Sequence, residues 1–281
     1  MNRRTRWPIY VLAVAILFIV YVRTVYDLNF SGNTVAIIEN TDEKESEQKE
    51  EEQQAENNAG ATTIEAAATP QPVEMQSAAL QQETVLLQNV PFIQQMPELA
   101  RGCEVTSLAM MLQYAGVQID KMALAAAITK VPFLSNGMRG NPNDGFVGNI
   151  YTYSENGYGV YHGPIASLAE QYLPGRIKDL SGLSIESVYE ALQAGTPVLV
   201  ITNSTFSTLD ESELHTWQTA SGPVQITYRE HSVLVIGYDQ DYVYMNDPLA
   251  EQAGTKVSKA EFEAAWVQMG SQAVTYAPVV N

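Results

Sequence analysis

An acidic segment between about residues 39 and 83 limits where this chain of 281 residues can fold. It consists mainly of Glu, Gln, Ala and Thr, includes the runs Glu43–Glu47 and Glu50–Glu52, and is poor in aromatic and branched apolar residues. Such a segment cannot bury enough apolar surface to offset the entropy that ordering costs. We therefore predict that residues 31–84 are a disordered acidic linker. Residues 85–281 are then expected to form one globular domain, long enough for a substantial core.

The N-terminal residues have the composition of a membrane anchor or a signal peptide. Arg3, Arg4 and Arg6 precede an apolar run from Trp7 to Val22. The run is somewhat shorter than the ~20 residues that a spanning helix needs, but Arg23 could extend it by snorkelling. A cleaved signal peptide is the alternative, although no small-residue cleavage site follows at once. We predict that the first 30 residues form a cytoplasmic stub and an uncleaved anchor.

The clustered N-terminal arginines also predict an orientation, because positive residues flanking a span stay in the cytoplasm. The expected localisation is the cell membrane, with a single pass and an extracellular C-terminal domain. Secretion after signal-peptide cleavage is the alternative. The formal charge of −17 comes largely from the predicted linker, and it is typical of a solvated segment. Nucleic acid is not an expected partner, because binding phosphates requires clustered Lys and Arg.

Cys103 is the chain's single cysteine, so no intramolecular disulfide can form. It begins a predicted helix that ends near Tyr114 and has apolar residues at the spacing of a buried stripe, at Val105, Leu108, Ala109, Leu112 and Ala115. The free N–H groups and the dipole at a helix N-terminus favour an anion, so we expect a lowered thiol pKa. The alternative interpretation is a small buried apolar residue.

A histidine and an acidic residue follow in the order that a thiol enzyme requires. His231 begins an apolar, strand-like run about 130 residues after Cys103, and a second predicted strand ends at Asn246 and Asp247. The order Cys, His, Asx and this separation are typical of papain-like enzymes. A thiolate nucleophile needs a base within hydrogen-bond reach and a group that orients the base. A hairpin would bring His231 and Asp247 together, because they are sixteen positions apart.

Several assignments have competitors in the sequence. His162 lies in a Tyr-rich segment and His215 in a polar segment that we expect to be exposed, so His231 is the preferred base. Asn246 and Asp247 would point to opposite faces of a continuing strand. We favour Asp247 as the orienting residue, because a carboxylate stabilises an imidazolium ion.

The oxyanion of the attacked carbonyl needs hydrogen-bond donors. The backbone N–H of Cys103 is one candidate, and an upstream glutamine side chain is the second. Gln94 and Gln95 both qualify, and we prefer Gln95. Trp217, in a predicted polar loop, could line a cleft. The chain has no metal-ligand spacing and no phosphate-binding loop, so we predict no cofactor and no metal.

The remaining pattern predicts an α+β domain, because helices come first and antiparallel strands afterwards. Further helices are predicted at residues 120–128, 164–172, 184–194 and 258–266. Strands are predicted at residues 86–92, 197–202, 232–237, 242–246 and 273–276.

Several segments together resemble the peptidase family thirty-nine-like domain, whose members are related to bacteriocin-processing double-glycine cysteine peptidases in the papain-like superfamily. The most specific part is Gly102–Met110, preceded by Val90–Gln95. Gly145–Gly148, Gly157–His162 and Glu230–Val233 also resemble this family's stand-alone exported branch. The resemblance covers about residues 85–278.

This resemblance implies a papain-like α+β fold with a nucleophile-bearing helix packed on an antiparallel sheet. It implies Cys103 as nucleophile, His231 as general base, Asp247 as orienting residue and Gln95 in the oxyanion hole. Exported relatives of this type are common in Gram-positive bacteria. The predicted function is a membrane-anchored extracellular cysteine peptidase or amide hydrolase, which forms an acyl-enzyme with a peptide or other amide substrate. The alternatives are a catalytically silent binding module, with residues 136–163 as its contact surface, and an acyltransferase that uses the same triad.

Overall fold

A computed structural model describes residues 84–279 of the chain. The predicted anchor, at residues 1–30, and the predicted linker up to residue 83 lie outside the described residues, so both remain predictions. Between residues 84 and 279, no helix is both long enough and apolar enough to cross a membrane.

The helices of the described region are α1 (Cys103–Tyr114), α2 (Lys121–Ala127), α3 (His162–Glu170), α4 (Ile185–Gln193) and α5 (Lys259–Gln268), with a 3-10 turn at Glu211–Glu213. The first strands in the chain are short: β1 (Val85–Leu86), β2 (Lys130–Val131), β3 (Leu134–Ser135), β4 (Met138–Arg139), β5 (Phe146–Val147) and β6 (Ile177–Asp179). Most of the later strands are longer: β7 (Val198–Asn203), β8 (His215–Thr219), β9 (Gly222–Ile226), β10 (Glu230–Tyr238), β11 (Tyr242–Asn246), β12 (Thr255–Ser258) and β13 (Gln272–Tyr276).

The main sheet is antiparallel and has helices on both faces. Its strand order is β12-β11-β10-β7-β13-β6, and β1 pairs with the end of β10. Because side chains alternate along a strand, Leu199 and Ile201 of β7 pack into the core that contains α1. Val198 and Val200 instead pack with residues of α4 and α5. The predicted α+β fold, with the Cys103 helix on an antiparallel sheet, is confirmed.

Helix α1 begins at Cys103, as predicted, and the residue before it must be small. A Cβ atom on Gly102 would lie 2.6 Å from the side chain of Leu99, which is itself fully buried. Helix α3 begins at His162, two residues before the prediction, because Pro164 fits the first turn, where no backbone N–H is needed. The start of α1 is therefore fixed by close packing against the preceding segment.

Two predictions about local structure were wrong. The first strand covers only Val85–Leu86, because Asn89 adopts a left-handed backbone conformation (φ 59°) that interrupts an extended strand. Trp217 lies in β8 rather than in a polar loop, within a four-stranded sheet of order β3-β4-β8-β9. It is buried there and its ring packs 5.0 Å from that of Tyr158.

Candidate active site

The β10–β11 hairpin brings the predicted base against the predicted orienting residue. His231 is the second residue of β10, and Asp247 directly follows β11. Nε2 of His231 lies 2.8 Å from Oδ1 of Asp247, and only 3% of the histidine side chain is exposed. The imidazole is therefore held through Nε2, which leaves Nδ1 as the ring nitrogen for a reacting group.

Asp247 is held as an anion behind this ring. Burial alone would raise its pKa, but the hydrogen bond to His231, the charge of His231 and the Leu249 N–H together lower the pKa below its usual value. The Leu249 N–H donates to the same oxygen, Oδ1, at 2.8 Å. A charged carboxylate in this position can stabilise an imidazolium ion.

Asn246, the competing candidate, makes a different set of contacts. Its Nδ2 donates to the carbonyl of Pro91 (2.9 Å), and its Oδ1 accepts from the Gly254 N–H (3.1 Å). Asn246 thus links β11 to two backbone segments, and it is Asp247 that contacts the imidazole.

Cys103 and His231 line the same cavity, which has a volume of about 190 Å³. Cys103 is buried, with 7% of its surface exposed. Gln95 and Glu230 also contribute to the lining, together with the aromatic residues Tyr153, Tyr158 and Tyr228. His162 and His215 are not part of this described lining: His162 pairs with Asp179 at 2.6 Å, and His215 packs against Tyr228.

The surroundings of Cys103 raise the pKa of its thiol, contrary to the expectation of a lowered pKa. Burial raises the pKa of Cys103 well above its usual value, and the charges of Glu104 and Glu230 raise it further, although a backbone hydrogen bond from Ser232 opposes them. Its Sγ donates to Oε2 of Glu104 at 3.3 Å. The favourable helix N-terminus is therefore outweighed by desolvation and by two neighbouring carboxyl groups.

Glu104 and Glu230 are site residues that the sequence analysis missed. Glu104 is fully buried, and its Oε1 accepts the Val160 N–H at 2.7 Å. Burial raises the pKa of Glu104 to about 7, although hydrogen bonds from the backbone and from Cys103 and the charge of His231 oppose the shift. Burial and the charge of Glu104 raise the pKa of Glu230 well above its usual range. Each glutamate is the direct neighbour of a predicted site residue, which is the one signal that could have drawn attention to it.

Gly159 packs closely against these two carboxyl groups and leaves no room for a side chain. A Cβ atom on Gly159 would lie 2.6 Å from Oε1 of Glu104 and 2.6 Å from Oε2 of Glu230. One ligand atom from each of Cys103, Glu104 and Glu230 lies within 4.8 Å of the others, a spacing that a cation could bridge. The thiol and Glu104 are already paired by a hydrogen bond, so we assign no metal here, and the absence of a metal remains a prediction.

Gln95 is the glutamine that reaches the cavity. It is 2% exposed, and its Nε2 donates to the carbonyls of Leu99 and Ala100, both at the long distance of 3.3 Å. Gln94 is exposed and bonds to the Ala250 carbonyl instead. To act on an oxyanion, the Gln95 amide would have to exchange one of its two long hydrogen bonds.

The fold and the site together have the architecture of papain-like cysteine peptidases: a cysteine at a helix start, with a histidine and an acidic residue on an antiparallel hairpin. Residues 87–274 match the model of the Peptidase_C39 like family, and the chain belongs to this family.

The chain is similar in sequence to two proteins from Bacillus species. The chain is 50% identical over 179 residues to the uncharacterized protein YvpB of Bacillus subtilis strain 168, covering 63% of this chain and 70% of YvpB. It is also 61% identical in sequence to a provisionally assigned C39-like peptidase from Bacillus anthracis, whose crystal structure matches with a TM-score of 0.70. This match covers 71% of this chain and all of that one. A double-glycine motif protease from an AMS/PCAT transporter, solved with its leader peptide, matches at 16% identity and a TM-score of 0.37, which is too distant to inform the site.

Proposed function

We propose that this protein is a cysteine peptidase or amide hydrolase in which Cys103 is the nucleophile, His231 the general base and Asp247 the orienting residue. The observation that carries the proposal is the 2.8 Å contact between His231 and Asp247, at a cavity that Cys103 also lines. Family membership supports a peptide as the substrate class.

The proposed reaction proceeds through a thioester. The proton of the Cys103 thiol moves to Nδ1 of His231, and the sulfur forms a bond to the substrate carbonyl carbon. The backbone N–H of Cys103 and Nε2 of Gln95 donate to the oxyanion. The imidazolium then protonates the leaving amine as the C–N bond breaks. In the second half, His231 takes a proton from water, whose oxygen bonds to the acyl carbon. The C–S bond breaks, the imidazolium returns the proton to the Cys103 sulfur, and the acid is released.

Labelling with an electrophilic peptide ketone, followed by peptide mapping, tests the proposal. We expect modification of Cys103 in the full-length protein and none in Cys103→Ala. Asp247→Asn should slow the labelling roughly 10²- to 10⁴-fold, because the imidazole loses its negatively charged partner. Asp241→Asn is the matched control, since Asp241 is an exposed residue of the β10–β11 turn. Labelling that is unaffected by Asp247→Asn would contradict the assignment.

A binding module without turnover is the second candidate, and the raised thiol pKa of Cys103 favours it. If the protein is such a binding module, Cys103→Ala should bind the ligand as well as wild type does and should also support the protein's cellular role. Acyl transfer requires the same residues as hydrolysis, and adding an amine acceptor and identifying the product separates the two reactions.

We further propose that the domain acts outside the cell, attached to the membrane through the N-terminal residues. The arginine cluster at Arg3–Arg6 and the apolar run Trp7–Val22 support this proposal. Digestion of intact cells by an added protease tests it: loss of the domain is expected only if it is exposed outside. Recovery of the domain in the culture medium would support a cleaved signal peptide instead.

A further inference from the structure

The cavity at Cys103 contains a carboxyl oxygen that the proposed hydrolysis does not use. Oε1 of Glu230 is closed to solvent and has no hydrogen-bond partner among residues 84–279. A buried polar atom without a partner costs free energy, so such an atom calls for an explanation. Glu230 itself lines the cavity beside Cys103 and His231.

The cavity walls on this side are aromatic. Tyr153 and Tyr228 are 66% and 64% exposed, whereas Tyr158 is buried. The rings of Tyr158 and Tyr228 lie 5.0 Å and 6.2 Å from that of Trp217, so both are held against one aromatic cluster. Aromatic faces attract cations, most strongly where water is partly excluded.

The permanent cation in the lining is already engaged elsewhere. Arg101 donates from Nη1 to the carbonyls of Thr152 (2.6 Å) and Asn149 (3.3 Å), and its guanidinium lies 4.9 Å from the centre of the Tyr153 ring. Glu104, which also lies beside Glu230, is a second carboxyl group and offers no positive charge. The space is therefore lined by a carboxyl group and tyrosine rings, and the described lining offers Glu230 no free permanent cation.

We propose that Glu230, together with Tyr158 and Tyr228, binds a protonated amino group of the substrate. This inference rests on the proposed function and narrows its substrate class to amides that carry an ammonium group close to the scissile carbonyl. The ammonium group supplies hydrogen-bond donors to the unpaired oxygen of Glu230. Its positive charge also stabilises the ionised form of Glu230, which burial and Glu104 disfavour in the empty cavity.

The distances set how far this amino group can be from the attacked carbonyl. A carboxyl oxygen of Glu230 lies within 4.8 Å of the Cys103 sulfur. A bound ammonium group would be ~2.8 Å from that oxygen, while the carbonyl carbon would be ~3–3.5 Å from the sulfur. The α-amino group of the residue whose carbonyl is attacked satisfies both distances. A lysine side chain of that residue can supply the same chemistry if it folds back toward Glu230.

Three peptidyl-type acyloxymethyl ketone probes distinguish these sources in the full-length protein. One carries norleucine with a free α-amine, one N-acetyl-lysine and one N-acetyl-norleucine, and the rate of Cys103 modification is followed by intact mass. We expect at least one cationic probe to react roughly tenfold faster than N-acetyl-norleucine, as one charge-assisted hydrogen bond would give. The faster cationic probe identifies the source of the amino group.

Substitutions then assign the preference to Glu230. In Glu230→Gln the cationic and neutral probes should react within about twofold of each other, whereas Glu190→Gln, an exposed residue of α4, should keep the wild-type preference. Tyr228→Ala removes an exposed ring, so it should reduce the preference for the cationic probe without disturbing the hydrophobic core. Equal rates for all three probes in wild type, or an undiminished preference in Glu230→Gln, would overturn this inference alone. Failure of every probe to modify Cys103 would overturn the proposed function as well.

Discussion

At the scale of single residues, the resting site keeps three acidic groups close together and out of water. The Cys103 thiol donates to Glu104, Glu104 accepts the Val160 N–H, and Glu230 lies beside them. Desolvation of the charged forms makes the protonated forms favourable. Under the proposed function, activation of Cys103 therefore depends on what enters the cavity as much as on the helix N-terminus.

The raised pKa of Glu104 makes folding stability depend on pH. Its pKa moves from a reference of 4.5 to about 7 in the folded state, so the native protein binds more protons than the unfolded chain between these values. The free energy of unfolding should therefore fall as pH rises from about 4.5 to about 7, by roughly 3 kcal/mol for this group. In Glu104→Gln this dependence should be clearly flatter, as measured by urea unfolding from pH 5 to pH 8.

Glu190→Gln provides the control, because it removes a carboxyl group from the exposed surface of α4. It should leave the pH dependence as it is in wild type. A Glu104→Gln protein with the wild-type slope would show that this carboxyl group is not the source.

A pair of glycine substitutions tests the packing around the two carboxyl groups. Gly159→Ala would place a Cβ atom 2.6 Å from both Glu104 and Glu230, so we expect a loss of about 1–3 kcal/mol in the free energy of unfolding. Gly163→Ala lies in α3, where a Cβ atom would meet only the Asn143 carbonyl at 4.0 Å. It should stabilise the protein by about 0.5–1 kcal/mol, because alanine favours a helix. Thermal or urea unfolding of both variants measures the difference, and a Gly159→Ala protein as stable as wild type would contradict the packing argument.

At the scale of elements, local patterns predicted the parts that make local contacts. The stripe from Val105 to Leu112 predicted α1, and the two apolar runs around residues 232–246 predicted the β10–β11 hairpin. The hairpin also determines that His231 and Asp247 meet, since its two strands are joined by a short turn. These features depend on spacing within a few turns or one hairpin, which a sequence displays directly.

The contacts that the sequence did not predict join distant segments. Glu104 on α1 approaches Glu230 on β10, and the Tyr158–Trp217 contact joins the segment before α3 to β8. Neither pairing has a periodic signal, and a glutamate at a helix start is usually interpreted as a complement to the helix dipole. The residues of the candidate triad could therefore be selected from the sequence, whereas the electrostatic surroundings of Cys103 could not be predicted.

Substitutions of the two neighbouring residues at the end of β11 should affect different properties: mainly stability for Asn246 and mainly turnover for Asp247. Asn246→Ala removes the bonds to the Pro91 carbonyl and the Gly254 N–H, leaving partly buried backbone groups unpaired, so it should cost about 1–2 kcal/mol of unfolding free energy. Asp247→Asn keeps the size of the side chain, so under the proposed function it should reduce turnover far more than stability. Urea unfolding and probe labelling of both variants check this split. Similar effects of the two substitutions on both measurements would contradict it.

At the scale of the whole molecule, the family match lies within the described region, because the family model covers residues 87–274. The main sheet has helices on both faces within this region, and its core clusters draw on residues of that region. A domain that buries both faces of its sheet in this way has what it needs to fold by itself.

We therefore expect a fragment of residues 84–281 to fold and to react as the full chain does. Its urea midpoint and its rate of Cys103 labelling should lie within experimental error of the full-length values, because the described residues 84–279 already contain both core clusters and the lining of the cavity. Full-length protein expressed in bacterial cells should sediment with membranes, whereas the fragment should remain in the supernatant, if the N-terminal run anchors the chain. The two results are independent. A fragment that unfolds at lower urea would show that residues before 84 contribute to the fold, and full-length protein that stays in the supernatant would contradict the anchor.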